Sequence, residues 1–397
     1  MIDTVVLVFD LGDFRKQSFI KCDSFGQWTP NLGGLLSSRY QKGKLRSTLR
    51  PSSSDKRKGL YRPRLAVIKQ CIAGGFMTRL YVELSAPKLL FGNNFSELEE
   101  SDFDRLCNRI RYRLLPMGVD IPLYAIQNVR VWTIHFGKNI VFTDGTIPAT
   151  ILSHLKKNNV SSRQRTLERD YKNGGEALYV STKNHQFCLY DKRKELENAR
   201  LTEVGNSEKD NWCQVDLLKK RKVVEPFQVL RLEARFITPE EIQNKLEKAG
   251  VEVSKHPTFK ELFRVEISKK VLKWEIAELE RATPEPLTFS GDFEDFVDGL
   301  KRQNPKATPT LVAKACMLQQ LRMSCGLSTA RKLLRMDSTS WSRLLREVGT
   351  LKCKPPPNDK MAEVRRQIAE FKPVKLDDYA KKCYNKRRSY GKKKYPK

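Results

Sequence analysis

Between Leu230 and Phe236 the apolar residues Leu230, Leu232, Ala234 and Phe236 alternate with Arg231, Glu233 and Arg235. A period of two is that of a half-buried strand, so one face belongs to the core and the other carries an Arg-Glu-Arg row. Val129 to Phe142 reads as a second strand, with Trp132, Ile134 and Phe136 on one side and Val131, Thr133 and His135 on the more polar side. A hairpin is predicted over 177 to 190 with its turn at Lys183-Asn184; Phe187 and Leu189 share one face, and Gln186, Cys188 and Tyr190 the other. Helical spacing takes over from Ser101 to Leu115, where Phe103, Leu106, Ile110 and Leu114 form a stripe, and Pro148 to Lys157 is a shorter candidate. Thr238-Pro239-Glu240-Glu241 supplies a capping residue, a proline at the first helical position and first-turn acids, and a further helical tract runs from Phe259 to Arg281. This order predicts an α+β fold: a mainly antiparallel sheet with helices on one face, and the chemistry on the other.

The same pattern divides the chain. Residues 1–282 form the α+β domain. Within it, 38–64 is rich in serine, lysine and arginine and is read as a basic loop or insertion, either touching a polyanion or simply solvated. Residues 283–309, rich in proline, glycine and acids, are read as a linker. Residues 310–350 hold three helices, over Leu311 to Met323, Ser328 to Arg335 and Thr339 to Val348. The last two have helix-turn-helix proportions that would turn Arg343 and Arg346 toward a DNA groove; a plain helical bundle is the alternative. Residues 351–397 are read as a basic tail. Its end, from Lys381, has nine cations, Arg387 and Arg388 among them, and no acid; Tyr384, Tyr390 and Tyr395 are interleaved, as in sequence-tolerant single-strand binding.

Composition turns this outline toward nucleic acid. Lysine and arginine number 75 against 46 acidic residues, a formal charge of +29, which points to a polyanionic partner. Membrane lipid is disfavoured, because no apolar run approaches the roughly 18 residues of a spanning helix and Met1-Ile2-Asp3 does not begin a signal peptide. The nine cysteines lack the paired spacing of a zinc site or a disulfide framework and read as reduced cytoplasmic thiols.

A carboxylate between two guanidinium groups can ligate a divalent cation while the planar forks hold phosphate oxygens, which would make Glu233 a metal ligand and Arg231 and Arg235 phosphate clamps. Opposite charges that merely pair on a solvated face would leave the same pattern. His135 is either a second ligand or an ordinary structural histidine. Tyr190 stands at a strand end before Asp191 and Lys192, where a phenol either packs or serves as a nucleophile.

Several segments resemble, in order, the gene II/X replication proteins of filamentous phages: Met1-Ile2-Asp3-Thr4, Val82 to Gly92, the strand at 131–136, the Tyr190 hairpin and Val229 to Phe236. More distantly they resemble rolling-circle plasmid initiators with a Tyr-Asp-Lys hairpin and an Arg-x-Glu-x-Arg strand. The resemblance implies an HUH-endonuclease-like core, a nicking and joining enzyme in which Tyr190 becomes linked to a 5′ phosphate, and a site containing Glu233. It implies Mg²⁺ or Mn²⁺ as cofactor, held by Glu233 and His135, with Lys192 stabilising the phenolate. The partners implied are duplex origin DNA, single-stranded DNA and the replication machinery of a bacterial host, in whose cytoplasm the protein would act. Thr133-Ile134-His135 stands where the family typically has Arg-Ile-Asp, a departure that bears on the metal. A plasmid initiator or mobilisation relaxase would share the chemistry, and a DNA-binding regulator that has lost cleavage would share only the fold.

Overall fold

Strand formation follows the alternation. In the computed structural model, which describes residues 1–10, 13, 35–41, 44–50, 58–72, 75–159, 165–170, 174–198, 217–218, 221–281, 283–289, 292–353 and 361–382, twelve strands occur. They are β1 Ile2–Asp10, β2 Leu35–Gln41, β3 Lys44–Arg50, β4 Arg64–Ile72, β5 Gly75–Ser85, β6 Arg130–Phe142, β7 Arg165–Asp170, β8 Glu176–Ser181, β9 His185–Asp191, β10 Arg221–Val223, β11 Gln228–Phe236 and β12 Ala380–Lys382. Ten of them make one sheet, in the order β2-β3-β4-β5-β1-β6-β11-β9-β8-β7, and β10 pairs with β12. Every neighbouring pair is antiparallel.

One sheet face is apolar from β3 across to β8. Leu7, Val82, Ile134, Phe136, Leu189, Leu232 and Ala234 pack in one cluster with Leu106 and Ile110 of helix Phe103–Leu114, Leu246 of helix Pro239–Lys248, and Val271 and Leu272 of helix Val265–Arg281. Each such side chain larger than alanine, fully buried, contributes about 1.5–3 kcal/mol, so this face anchors the sheet to its helices. The fold is α+β with a large antiparallel sheet, and the predicted helices at 103–114, 148–156 and 239–248 form where the spacing places them. No described helix is long and apolar enough to cross a membrane.

Three segments differ from expectation. The basic stretch 38–64 is not simply a loop: β2 and β3 form a hairpin that joins β4 and extends the sheet, and Leu49 reaches the core. Polar, charged residues are what an edge strand tolerates, which is why the stretch reads as a loop. The expected linker at 283–309 contains helix Phe293–Gln303, whose Phe296 and Leu300 join Leu318, Trp341 and Leu345 in a second hydrophobic cluster. It therefore belongs to the helical module, whose other helices are Pro309–Cys325, Leu327–Leu333 and Ser338–Val348. Finally, 361–382 is no tail. Helix Ala362–Glu370 buries Val364 and Ile368 in the main core, and the Val374 amide donates to Glu97 at 3.1 Å. Arg387 and Arg388 lie outside the described residues.

Candidate active site

The sheet face away from the main core collects polar side chains from three adjacent strands. On β11, Arg235 stands opposite His135 of β6 and Gln186 of β9, while Arg231 stands opposite Asn139 and Tyr190. A bulge sets the phase of β6: Leu7 pairs with Val131 but Val6 pairs with Thr133, so Trp132 is the extra residue. Trp132 consequently leaves the side of Ile134 and Phe136, where simple alternation puts it. It is exposed against Tyr81, with ring centroids 5.6 Å apart, and Val131 turns into the core.

Glu233 is the hub. Its Oε1 accepts from Arg235 Nε at 3.0 Å and lies 3.1 Å from His135 Nδ1; its Oε2 accepts from Arg235 Nη2 at 3.1 Å and from the Tyr190 hydroxyl at 3.3 Å. Arg235 also donates to Gln186 Oε1 at 2.9 Å. Burial alone would raise the Glu233 carboxyl, but Arg235 and His135 outweigh it and hold the group well below the usual carboxylate range. Tyr190 moves the other way. Burial first, and then the charge of Glu233, push its phenol well above its ordinary value, so the resting pair is a neutral phenol beside an ionised carboxylate.

Lys192 begins the short helix Lys192–Asn198 directly after β9. It is fully buried, its ammonium 3.0 Å from Glu195 Oε2 and 5.6 Å from the centre of the Tyr190 ring. Burial lowers its pKa, and Arg231 and Lys88 add to that against the pull of Glu195. Tyr190, Glu233, His135, Arg235 and Lys88 line a cavity of about 190 Å³. Tyr190 itself is only 4% exposed, and Ala177, Tyr179 and Cys188 pack around it, so a substrate must reach the hydroxyl through this cavity.

Arg231 does not do what its position in the Arg-Glu-Arg row predicts. It is 2% exposed, with Nη2 3.1 Å from Asp3 Oδ2 and Nη1 3.2 Å from Asn139 Oδ1, and it cannot grip an external phosphate. Its guanidinium lies over Gly137, where a side chain would collide with it. Asp3, Gly137 and Asn139 are thus parts of the site that alternation does not single out; the visible hint is a lone aspartate in the apolar run Ile2 to Phe9. Arg343 and Arg346 are exposed on helix Ser338–Val348 and do not line this cavity.

His135 and Glu233 offer one nitrogen and one oxygen donor side by side, a set that fits a hard divalent cation once phosphate oxygens and water complete its shell. Among the described residues no group of three or more His, Cys, Asp or Glu side chains adds to this pair. The chain matches no protein-family model, no curated protein and no solved structure.

Proposed function

We propose that this chain is a rolling-circle replication initiator of the filamentous-phage gene II/X kind, with an HUH-endonuclease-like core that nicks and rejoins DNA in a bacterial cytoplasm alongside the host replication machinery. One observation carries the reading. The Tyr190 hydroxyl donates to a carboxylate that arginine and histidine hold ionised, beside a cavity on the polar face of an antiparallel sheet. That geometry supplies a nucleophile, an ionised carboxylate beside it that could ligate a metal ion, and cations for phosphate oxygens.

In the reaction, Tyr190 Oη attacks phosphorus and the bond to the 3′ oxygen breaks, leaving a 5′-phosphotyrosyl link. The phenolic proton is given up to solvent, since a carboxylate held well below its usual range is too weak a base for a phenol raised well above its own, and the departing 3′ oxygen takes up a proton to become the hydroxyl that primes synthesis. Reversal on the displaced strand closes a circle. Arg235 is the only arginine of the row placed to meet the phosphate, and Lys192 under the ring offsets negative charge on the phenol. Glu233 and His135 would hold Mg²⁺ or Mn²⁺, which when bound polarises the phosphate and neutralises charge.

A DNA-binding protein without cleavage is the second reading, favoured by the Arg235 fork that engages both oxygens of Glu233. Incubation with supercoiled and single-stranded DNA in Mg²⁺ or Mn²⁺ separates the two. Nicked product and a covalent protein–DNA adduct, both absent with Tyr190→Phe while DNA binding is kept, are expected; undiminished cleavage by that variant would falsify the assignment of Tyr190.

A further inference from the structure

Three of the most deeply buried cations of the α+β domain face a carboxylate: Arg231 faces Asp3, Lys138 faces Glu97 at 2.7 Å and Lys192 faces Glu195. Arg322, on helix Pro309–Cys325, does not. It is 1% exposed, and its polar contacts are Asn158 Oδ1 at 3.1 Å from Nη2 and the Met323 sulfur at 4.0 Å from Nη1. Among the described residues its Nε has no partner. Burial, with no opposing carboxylate among the described residues, brings this guanidinium down to about 10. A buried charge without a counter-charge is strongly unfavourable, and such an arrangement persists where something outside the chain supplies that charge.

Arg322 borders a cavity of about 400 Å³ between its own helix and helix Pro148–Lys156. Thr150, Ser153, His154 and Lys157 line the opposite wall, at spacings of three and four that keep them on one helix face. Glu176, the acidic residue of the wall, is 2.8 Å from the ammonium of Lys156, which it shares with Glu168 at 3.5 Å, and Lys157 and Arg322 on the wall itself outnumber it. The wall therefore offers hydroxyl donors and a net cationic field. Met323 covers the guanidinium; it is 41% exposed and unbranched, with three rotatable bonds, so it can turn aside to admit a ligand.

We propose that this cleft binds a phosphoryl group, gripped by the Arg322 fork and flanked by Thr150, Ser153 and Lys157. A guanidinium fork with hydroxyl donors is the recognition set of a tetrahedral oxyanion. The group comes either from a nucleic-acid backbone or from a small phosphate compound. The site is separate from Tyr190, and its test needs no cleavage.

The full chain, Arg322→Met and Ser153→Glu are compared in two measurements. Ser153 is exposed on its helix, so glutamate there leaves folding intact while offering Arg322 a carboxylate and repelling phosphate. The first measurement is the melting temperature in inorganic phosphate against chloride at equal ionic strength; the second is binding of a labelled oligothymidine across a salt series. A small-phosphate site predicts that phosphate raises the parent's melting temperature by a few degrees, that both variants lose the rise, and that oligonucleotide binding stays unchanged. A backbone site predicts weaker oligonucleotide binding by both variants and a salt slope shallower by about 0.7, the loss of one single-strand phosphate contact. The proposal is overturned if both folded variants bind oligonucleotide as the parent does and keep its response to phosphate, including no response at all. If Arg322→Met does not fold, Ser153→Glu decides alone.

Discussion

Gly137→Ala places the smallest possible side chain where the buried guanidinium of Arg231 passes, and its consequence can be worked out atom by atom. A Cβ at position 137 would lie 2.7 Å from Arg231 Cζ and 3.1 Å from its Nε, well inside van der Waals contact. The end of an arginine is usually free to yield. Here it is 2% exposed and tied to Asp3 and Asn139. If the guanidinium holds its place, the extra methyl acts as overpacking, a loss of about 1–3 kcal/mol. If it is displaced, Asp3, itself 4% exposed, loses its counter-charge, and breaking a buried pair in this way costs about 3–5 kcal/mol. The ranges meet near 3 kcal/mol, which we take as the expected destabilisation. Urea unfolding of Gly137→Ala, Arg231→Ala and the double variant measures it as a cycle. With the guanidinium gone, alanine at 137 should change stability by less than about 0.5 kcal/mol, the level of an ordinary uncoupled substitution. An equal loss in both backgrounds, or no loss in the parent, would refute the steric account. Because Arg231 pairs across the sheet with Tyr190, the single variant should also depress any nicking activity.

Other perturbations address the proposed chemistry. Glu233→Ala should abolish cleavage at any practical Mg²⁺ concentration, whereas His135→Ala should weaken metal dependence in a way that excess Mn²⁺ partly restores; parental behaviour of His135→Ala at limiting metal would make the histidine structural. Burial and Glu233 hold Tyr190 protonated, so single-turnover cleavage should rise with pH, up to about tenfold per unit while the phenolate remains the minor form, and a flat profile would count against rate-limiting phenol deprotonation. Deleting 383–397 removes seven cations and no acid while sparing β12, so DNA affinity should fall and its salt dependence flatten with cleavage retained; an unchanged salt slope would show that this segment does not contact DNA.

Strands whose faces differ sharply were the most legible part of the fold. Leu230 to Phe236 and the 177–190 hairpin announce both their conformation and their polar side, and Tyr190 and Glu233 meet because the two strands are neighbours in the sheet. β2 and β3 were not legible, since β2 is an edge strand that needs no unbroken apolar row and both strands are rich in serine and cations. Helix Phe293–Gln303 hid behind the prolines, glycine and acids around it, although Phe296 and Leu300 carry a helical spacing. The ordered 361–382 segment was masked by its neighbours in the chain: lysines dominate the sequence beyond it, while its own apolar residues are interrupted by charges and find their partners in clusters that include β6 and β11.

Arg231 and Arg235 mark the limit of what alternation tells. Four residues apart on one strand, they share a face, a charge and a carboxylate neighbour, and periodicity assigns them the same task. Their fates differ because of residues far away in the chain. Asp3 approaches from β1, Asn139 and the bare backbone of Gly137 come from β6, and together they make a slot that takes in the guanidinium of Arg231. At 235 the facing residue on β6 is His135, which turns its Nδ1 to Glu233 and leaves no slot, so Arg235 stays at the rim with its fork on the same carboxylate. One arginine therefore stiffens the strand beneath Tyr190 while the other remains within reach of a substrate. A period of two specifies the face of a side chain, and only the cross-strand partner decides its depth.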